Sequence, residues 1–235
     1  MPNKNTLFPL RLDNQHVDWI ISDTLIPYPL ALEKMQNRVE SIIKGEKAEA
    51  IWLLEHPPLY TAGTSARSQD LITPDKFDIY QTGRGGQYTY HGPGQKVIYV
   101  MLDLNKRKQD IRKFITELEY WIIDLLAELT IPSKTYTDRV GIWVDSKNVN
   151  VHNESKIAAI GIRLKKWVSF HGVSLNIEPD LSHFDGIIPC GISQHGVTSL
   201  HQLGHIISHE EVESLLQSNF ETRFGPTQII DFEDL

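Results

Sequence analysis

The period of the apolar residues changes repeatedly along this chain, and those changes constrain its fold more than any single motif. Leu32, Met35, Val39, Ile42 and Ile43 recur at helical spacing, which predicts an amphipathic helix over residues 29–44 closed by Gly45. The unbroken run Ala50-Ile51-Trp52-Leu53-Leu54 reads as a buried strand stopped by Pro57-Pro58, and residues 97–102 read as a second central strand. Ile111, Phe114, Leu118, Trp121, Ile122, Leu125 and Leu129 then trace the longest helical stripe, ended by Pro132. Beyond it the pattern turns to strands at residues 140–144, 156–164 and 167–176, the last two joined as a hairpin turning at Lys165-Lys166. Ser208-His209-Glu210-Glu211 has the form of a capping box and opens a last helix with Val212, Leu215, Leu216 and Phe220 on one face. Helices and strands mixed without strict alternation predict an α+β fold with a mixed sheet. No repeat or Gly/Ser/Pro-rich linker divides the chain, so residues 1–235 are expected to form a single domain.

Composition narrows the function classes. At 235 residues, with 40% hydrophobic and 23% charged, the chain can bury its own core without a disulfide or metal staple. Its one cysteine excludes an intramolecular disulfide and fits a reducing compartment. A net charge of −7 argues against general nucleic-acid or anionic-membrane binding. No apolar run approaches the ~18 residues of a membrane span, and the polar start gives no signal-peptide pattern. A cytoplasmic protein is expected.

Two segments carry chemistry. Arg84-Gly85-Gly86-Gln87-Tyr88-Thr89-Tyr90-His91-Gly92-Pro93-Gly94-Gln95 packs four glycines, a proline, an arginine and a histidine into a stretch just before a central strand. Such a loop can lie against a ligand and turn its N–H groups toward it, with Arg84 able to hold an anion and His91 to orient a reacting group. It has neither the Walker spacing nor G-x-G-x-x-G, so phosphate cradling has little support. The second segment is Pro189-Cys190-Gly191. A lone cysteine is ordinarily an inert buried side chain, but here Pro189 fixes its approach and Gly191 leaves the following N–H open to an oxyanion.

A thiol must become a thiolate to attack, which calls for a neighbouring base or cation. Lys156 opens the apolar stretch Ile157–Ile162, where a lysine aimed inward is partly desolvated and usable as a base; a strand-end lysine pointing to solvent is the commoner case. With a turn at Lys165-Lys166, Ile160 pairs with His171, and Lys156, Ala158 and Ile160 share a sheet face with that histidine unless a bulge intervenes.

Taken together, the glycine-rich loop, K-I-A-A-I-G from Lys156, S-F-H-G-V-S-L-N around His171, and P-C-G at Cys190 followed by V-T-S-L resemble the lipoyl(octanoyl) transferases, also called the lipoate–protein ligase B family. The resemblance runs from about Ala50 to Phe224. It implies the catalytic fold shared with biotin and lipoate ligases. It implies transfer of an octanoyl group from acyl carrier protein to a lysine on lipoyl domains of 2-oxoacid dehydrogenase E2 subunits and the glycine-cleavage H protein. On this resemblance Cys190 takes the acyl group as a thioester, and Lys156 activates it and then the acceptor lysine. The substrate pocket is implied at Arg84–His91 (Arg84, Gly85, Gly86, Gln87, Tyr88, Thr89, Tyr90, His91), at Ala159, Ile160 and Gly161, and at Gly172, Val173 and Ser174, with His171 and Gly191 in support. Thioester exchange is nearly isoenergetic, so no ATP, metal or other cofactor is expected.

An ATP-dependent lipoate or biotin ligase on the same fold is the nearest rival; it activates a free acid as an adenylate and needs no nucleophilic cysteine. A binding protein for acylated carrier domains would need neither Cys190 nor Lys156. His195, His201, His205 and His209 are close in sequence but cannot share one helical face, and no ligand set completes them; they read as surface residues. Residues 145–155 read as a surface insertion, longer and more polar than the family leads one to expect. Two basic clusters, Lys106-Arg107-Lys108 with Arg112-Lys113 and Arg163 with Lys165-Lys166, are expected on solvated faces, one of them as a dock for the acidic carrier.

Overall fold

The two unbroken apolar runs lie side by side at the centre of one sheet, because only strands covered on both faces can be apolar at every position. The computed structural model describes residues 15–145, 154–188 and 196–235. In chain order the elements are β1 (Val17–Leu25), α1 (Tyr28–Lys44), β2 (Ala50–Glu55), β3 (Leu59–Ala62), β4 (Ile79–Gln81), β5 (Tyr88–His91) and β6 (Gln95–Met101). They continue as α2 (Ile111–Glu128), β7 (Ser133–Lys134), β8 (Ile142–Asp145), β9 (Glu154–Lys165), β10 (Val168–Asn176), β11 (Gly196–Val197), α3 (His209–Phe224) and β12 (Thr227–Ile229). The main sheet runs β12-β1-β2-β6-β10-β9-β8-β7, with β11 added to β9 where β10 has ended. It is mixed: β1 is parallel to β2, and β2 is antiparallel to β6.

Alternation sends Ile51, Leu53, Ile98 and Val100 to one face, where Phe114, Leu118, Trp121 and Ile122 of α2 and Val212, Leu216 and Phe220 of α3 cover them. Trp52, Leu54, Val97, Tyr99 and Met101 go to the other face, under Ala31, Met35, Val39 and Ile42 of α1. The helix ends follow their caps. Gly45 takes the left-handed position after α1, Asp110 accepts from Lys113 N at the start of α2, and both halves of the Ser208–Glu211 capping box form. A second, three-stranded sheet, β4-β3-β5, has its own core of Tyr60, Ala62, Tyr88, Tyr90, Phe184 and Ile187. Thus the middle of the glycine-rich segment, Tyr88–His91, is a strand rather than a loop. Among the described residues no helix is long and apolar enough to cross a membrane.

Three expectations change. The hairpin turns at Lys166-Trp167, both with positive φ (49° and 68°), so Lys165 pairs with Val168 and His171 with Ile162 rather than Ile160. A left-handed pair at both turn positions is the type I′ solution that matches strand twist, and lysine-tryptophan carries none of the usual Asn-Gly signal for it. The first basic cluster is not one solvated patch, because the Arg107 guanidinium is buried against Glu49. His209 is not a plain surface residue either: its Nδ1 lies 2.8 Å from Glu55 Oε1, and Lys96 Nζ is 3.4 Å from the same oxygen. That carboxylate, which also accepts from Gly94 N, holds His209 above its ordinary pKa. Most of the 145–155 connection, residues 146–153, lies outside the described residues.

Candidate active site

Where the small sheet meets β9 and β10, a cavity of about 290 Å³ opens. The glycine-rich segment closes one side. Gly85 N donates to Ile162 O (3.2 Å), and the approach depends on Gly161: a Cβ there would sit 2.9 Å from Arg84 Cδ and 3.2 Å from Gly85 O. Arg84 is spent on building this wall. Its Nη2 donates to Thr61 O and Oγ1 (2.8 and 2.6 Å), and its Nη1 donates to Gly85 O (3.0 Å). The guanidinium expected to grip an anion therefore anchors the loop to β3.

From Thr61 a buried polar chain runs across the cavity floor. His91 Nδ1 lies 2.7 Å from Gln95 Oε1, and Gln95 Nε2 donates to Tyr90 O and Asn176 Oδ1. The Gln95 oxygen is thus the acceptor, which puts the His91 proton on Nδ1 and leaves Nε2 unprotonated beside Thr61 Oγ1 (3.4 Å). The same logic fixes His56: Nδ1 donates to Ile26 O (2.6 Å) and Nε2 accepts from Tyr99 OH (2.8 Å). Burial holds all three histidines neutral, His56 down to about 4, His171 down to about 3, and His91 well below its ordinary value. Above them the Tyr28 hydroxyl is buried with no hydrogen-bond partner among the described residues, and burial pushes its pKa to about 12.

Lys156 enters the cavity from the far end of β9. It is 6% exposed, its Nζ donates to Val140 O (3.0 Å), and it lies 4.7 Å from the Trp143 ring centroid. Two irregularities bring it to the same side as His171. Ile142 pairs with Ala158 but Trp143 pairs with Lys156, so Ile157 is an extra residue. Ile157 and Ala158 then both turn into the main core, and Lys156 joins Ala159 and Gly161 on the cavity side. His171 has φ 60°, which lets it stack on Phe170 (5.1 Å) and reach Tyr99 on that side. Lysine and histidine do share the cavity, but through a bulge and a left-handed residue rather than by simple alternation.

The turn that receives Lys156 is itself held. Gly141, at φ 124°, leaves room that a Cβ would take, 3.1 Å from Lys156 Cε, and its N–H donates to Glu119 Oε1 of α2 (3.2 Å). Glu119 is buried, and that burial raises its pKa against the opposing pull of the Gly141 N–H and Lys156. Replacing Glu119 by leucine strands the Gly141 N–H at a cost of about 1–3 kcal/mol and frees the Val140 carbonyl from its place. We expect a lower urea midpoint and slower turnover, with Glu119→Gln, which keeps an acceptor, restoring most of both. Equal turnover in the leucine and glutamine variants would show that the turn does not depend on this bond.

Of the sequence-predicted residues, Arg84, Gly85, Gly86, Gln87, Tyr88, Thr89, His91, Lys156, Ala159, Ile160, Gly161, His171, Gly172, Val173 and Ser174 line the cavity. Tyr90 does not; it turns into the small-sheet core and its hydroxyl meets His183 Nδ1 (2.8 Å). Cys190 and Gly191 lie outside the described residues. Sequence reasoning missed Tyr28, Thr61, Ser65, Val97, Tyr99, Asp138, Arg139 and Val140 in the lining. The polar run Thr137-Asp138-Arg139 just before an apolar strand was an available signal for two of these, Asp138 and Arg139.

Comparison with known proteins follows the same lines. The family described as the lipoyl protein ligase A/B catalytic domain matches residues 27–221. The chain is 56% identical to the octanoyltransferase of Jannaschia sp. (strain CCS1) over 89% of this chain and 99% of that protein. It is 52% identical to the octanoyltransferase of Caulobacter vibrioides over 93% of this chain and 96% of that one. Among solved structures, a putative lipoate protein ligase from Thermoplasma acidophilum with bound lipoic acid superposes with a TM-score of 0.69 at 12% identity, covering 93% of this chain and 89% of that one. Lipoate-protein ligase A bound with ATP superposes at 0.67 and 14% identity, over 94% and 91%. At such identities these two report a shared fold.

Proposed function

The chain belongs to the lipoyl protein ligase A/B catalytic family and is an octanoyltransferase acting on lipoyl-domain proteins, and from that premise we propose that it works through a thioester on Cys190 with Lys156 as its base. The donor in this reading is octanoyl-acyl carrier protein, in the cytoplasm. The acceptors are lipoyl domains of 2-oxoacid dehydrogenase E2 subunits and the glycine-cleavage H protein. The observation that carries it is a register: Val197, seven residues after Cys190, pairs with Lys156, and Thr198 N donates to Lys156 O (3.0 Å). The chain that follows the cysteine is therefore laced to the strand bearing the lysine. Asn176, at the end of the floor network, donates to Thr198 O (2.9 Å) and ties the same segment to His91.

The protons balance through one lysine. Neutral Lys156 takes the Cys190 proton, the thiolate attacks the carrier thioester, and the departing carrier thiolate recovers that proton from Lys156. Lys156 is then neutral again for the second half. It takes one proton from the acceptor ammonium; the free amine forms a C–N bond as the C–S bond breaks, and the sulfur leaves with a second amine proton. The one proton then left on Lys156 goes to water. Carrier thioester plus lysine ammonium thus give amide, carrier thiol and one proton, with no ATP consumed.

Intact-protein mass measurement after incubation with octanoyl-acyl carrier protein, without ATP, tests this. We expect a single octanoyl adduct on the wild type, none on Cys190→Ala, and loss of the adduct on adding apo-lipoyl domain. Modification of the lipoyl domain with no adduct at any time on the enzyme would sink the covalent route, and a requirement for free acid and ATP would point to a ligase.

A further inference from the structure

We propose that Asp138 receives the ammonium group of the acceptor lysine and holds it beside Lys156; this rests on the acyl-enzyme reading above. The described lining of the cavity contains two arginines, Arg84 and Arg139, the base Lys156, and one carboxylate, Asp138. Its histidines are neutral. An acceptor lysine arrives as a cation, and in a partly enclosed site whose wall carries two arginines, and where Lys156 turns positive once it takes the proton, that charge meets repulsion that water screens poorly. Some anion has to face the incoming group.

The other charges of the wall are already engaged. Arg84 is bonded to β3 and its own loop. Arg139 donates to Glu154 (2.6 Å) and lies over the Tyr136 ring (3.7 Å) and the Trp143 ring (4.7 Å). Asp138 is exposed and makes no ion pair among the described residues. Its position is set by the residues that follow it: the stacked Arg139 comes next, and Val140, two residues on, accepts from Lys156 Nζ. A carboxylate on a turn whose next residues seat the base is placed to deliver an ammonium to that base. Asp138 takes no proton in this scheme. It binds the ammonium, Lys156 removes one proton, and C–N formation and C–S cleavage follow as above.

Charge is what distinguishes this role, so the test compares nucleophiles of different charge. Wild type, Asp138→Asn and Asp138→Glu are loaded with octanoyl-acyl carrier protein, and discharge of the adduct is timed with apo-lipoyl domain and with hydroxylamine, which is neutral at pH 7. We expect the ratio of lipoyl-domain to hydroxylamine discharge to fall at least about tenfold in Asp138→Asn and to recover in part in Asp138→Glu. An unchanged ratio, including one in which both rates fall together, overturns the assignment while leaving the acyl-enzyme intact. Absence of any adduct on the wild type overturns the acyl-enzyme reading, and this assignment with it.

Discussion

Replacing Lys156 by methionine is expected to slow octanoyl transfer by about two to four orders of magnitude, the range over which a positioned general base acts, while the protein stays folded. Methionine keeps the unbranched stem that runs past Trp143, so little packing is lost. The Val140 carbonyl loses its donor, which costs about 1–3 kcal/mol. That is a fraction of the 5–15 kcal/mol typical of a domain, and it cannot by itself account for a loss of a thousandfold. Urea unfolding and transfer rates measured on the same preparation separate the two effects. A variant that melts normally and retains more than a tenth of the wild-type rate would show that Lys156 is not the base. The comparison with Glu119→Leu sharpens this: that variant keeps the amine but loosens its seat, and should lie between wild type and Lys156→Met.

The parts of the fold that were legible in the sequence are those where burial alone decides. The runs at residues 50–54 of β2 and 97–101 of β6 are unbroken and apolar because the sheet is covered on both faces; α1, α2 and α3 carry apolar stripes, with a C-terminal glycine closing α1 and side-chain caps opening α2 and α3. β12 is three residues, Thr227-Gln228-Ile229, mostly exposed at the sheet edge, and has no pattern to read. The small sheet escaped for a different reason. Tyr88–His91 alternates Tyr, Thr, Tyr, His between glycines, so the glycines suggested a loop while the alternation belonged to a strand facing Leu59–Ala62.

Site residues were legible where they cluster in sequence and hidden where the fold assembles them. Arg84 to His91 and Gly172 to Ser174 are contiguous runs, whereas Tyr28, Tyr99 and Asp138 reach the cavity from the start of α1, from β6 and from the turn before β8. Lys156 and His171 came together for reasons that period-two arithmetic could not supply. An extra residue in β9 and a left-handed φ at His171 each flip a side chain, and neither leaves a mark such as glycine in the sequence. The same tight strand packing that forces these features also buries the polar floor, and that burial has a thermodynamic consequence.

Stability is expected to fall steeply between pH 6.5 and pH 5. His56, His91 and His171 are all buried, and their folded-state pKa values lie well below the ordinary 6.5, at about 4 for His56 and about 3 for His171. Above pH 6.5 neither the folded nor the unfolded state protonates them, so they leave stability unchanged. Below it the unfolded chain binds three protons that the folded chain refuses, and each refusal costs about 1.4 kcal/mol per pH unit until the folded pKa is reached. By pH 5 His56 and His171 together cost on the order of 4 kcal/mol, and His91 adds in the same direction, a sum comparable with the whole stability of many domains. His209 acts in the opposite sense: with its pKa raised by Glu55 it favours the folded state below its unfolded pKa, and that contribution is lost as pH rises through the folded value. One partly exposed group does not offset three buried ones. Urea unfolding at pH 7.5, 6.0 and 5.0 should give a falling free energy, and His56→Gln, whose amide can still donate to Ile26 O, should flatten the slope by about a third. A free energy that stays constant from pH 7.5 to 5.0 would mean that these rings accept protons in the folded state, and the single-tautomer hydrogen bonds of His56 and His91 would then have to be redrawn.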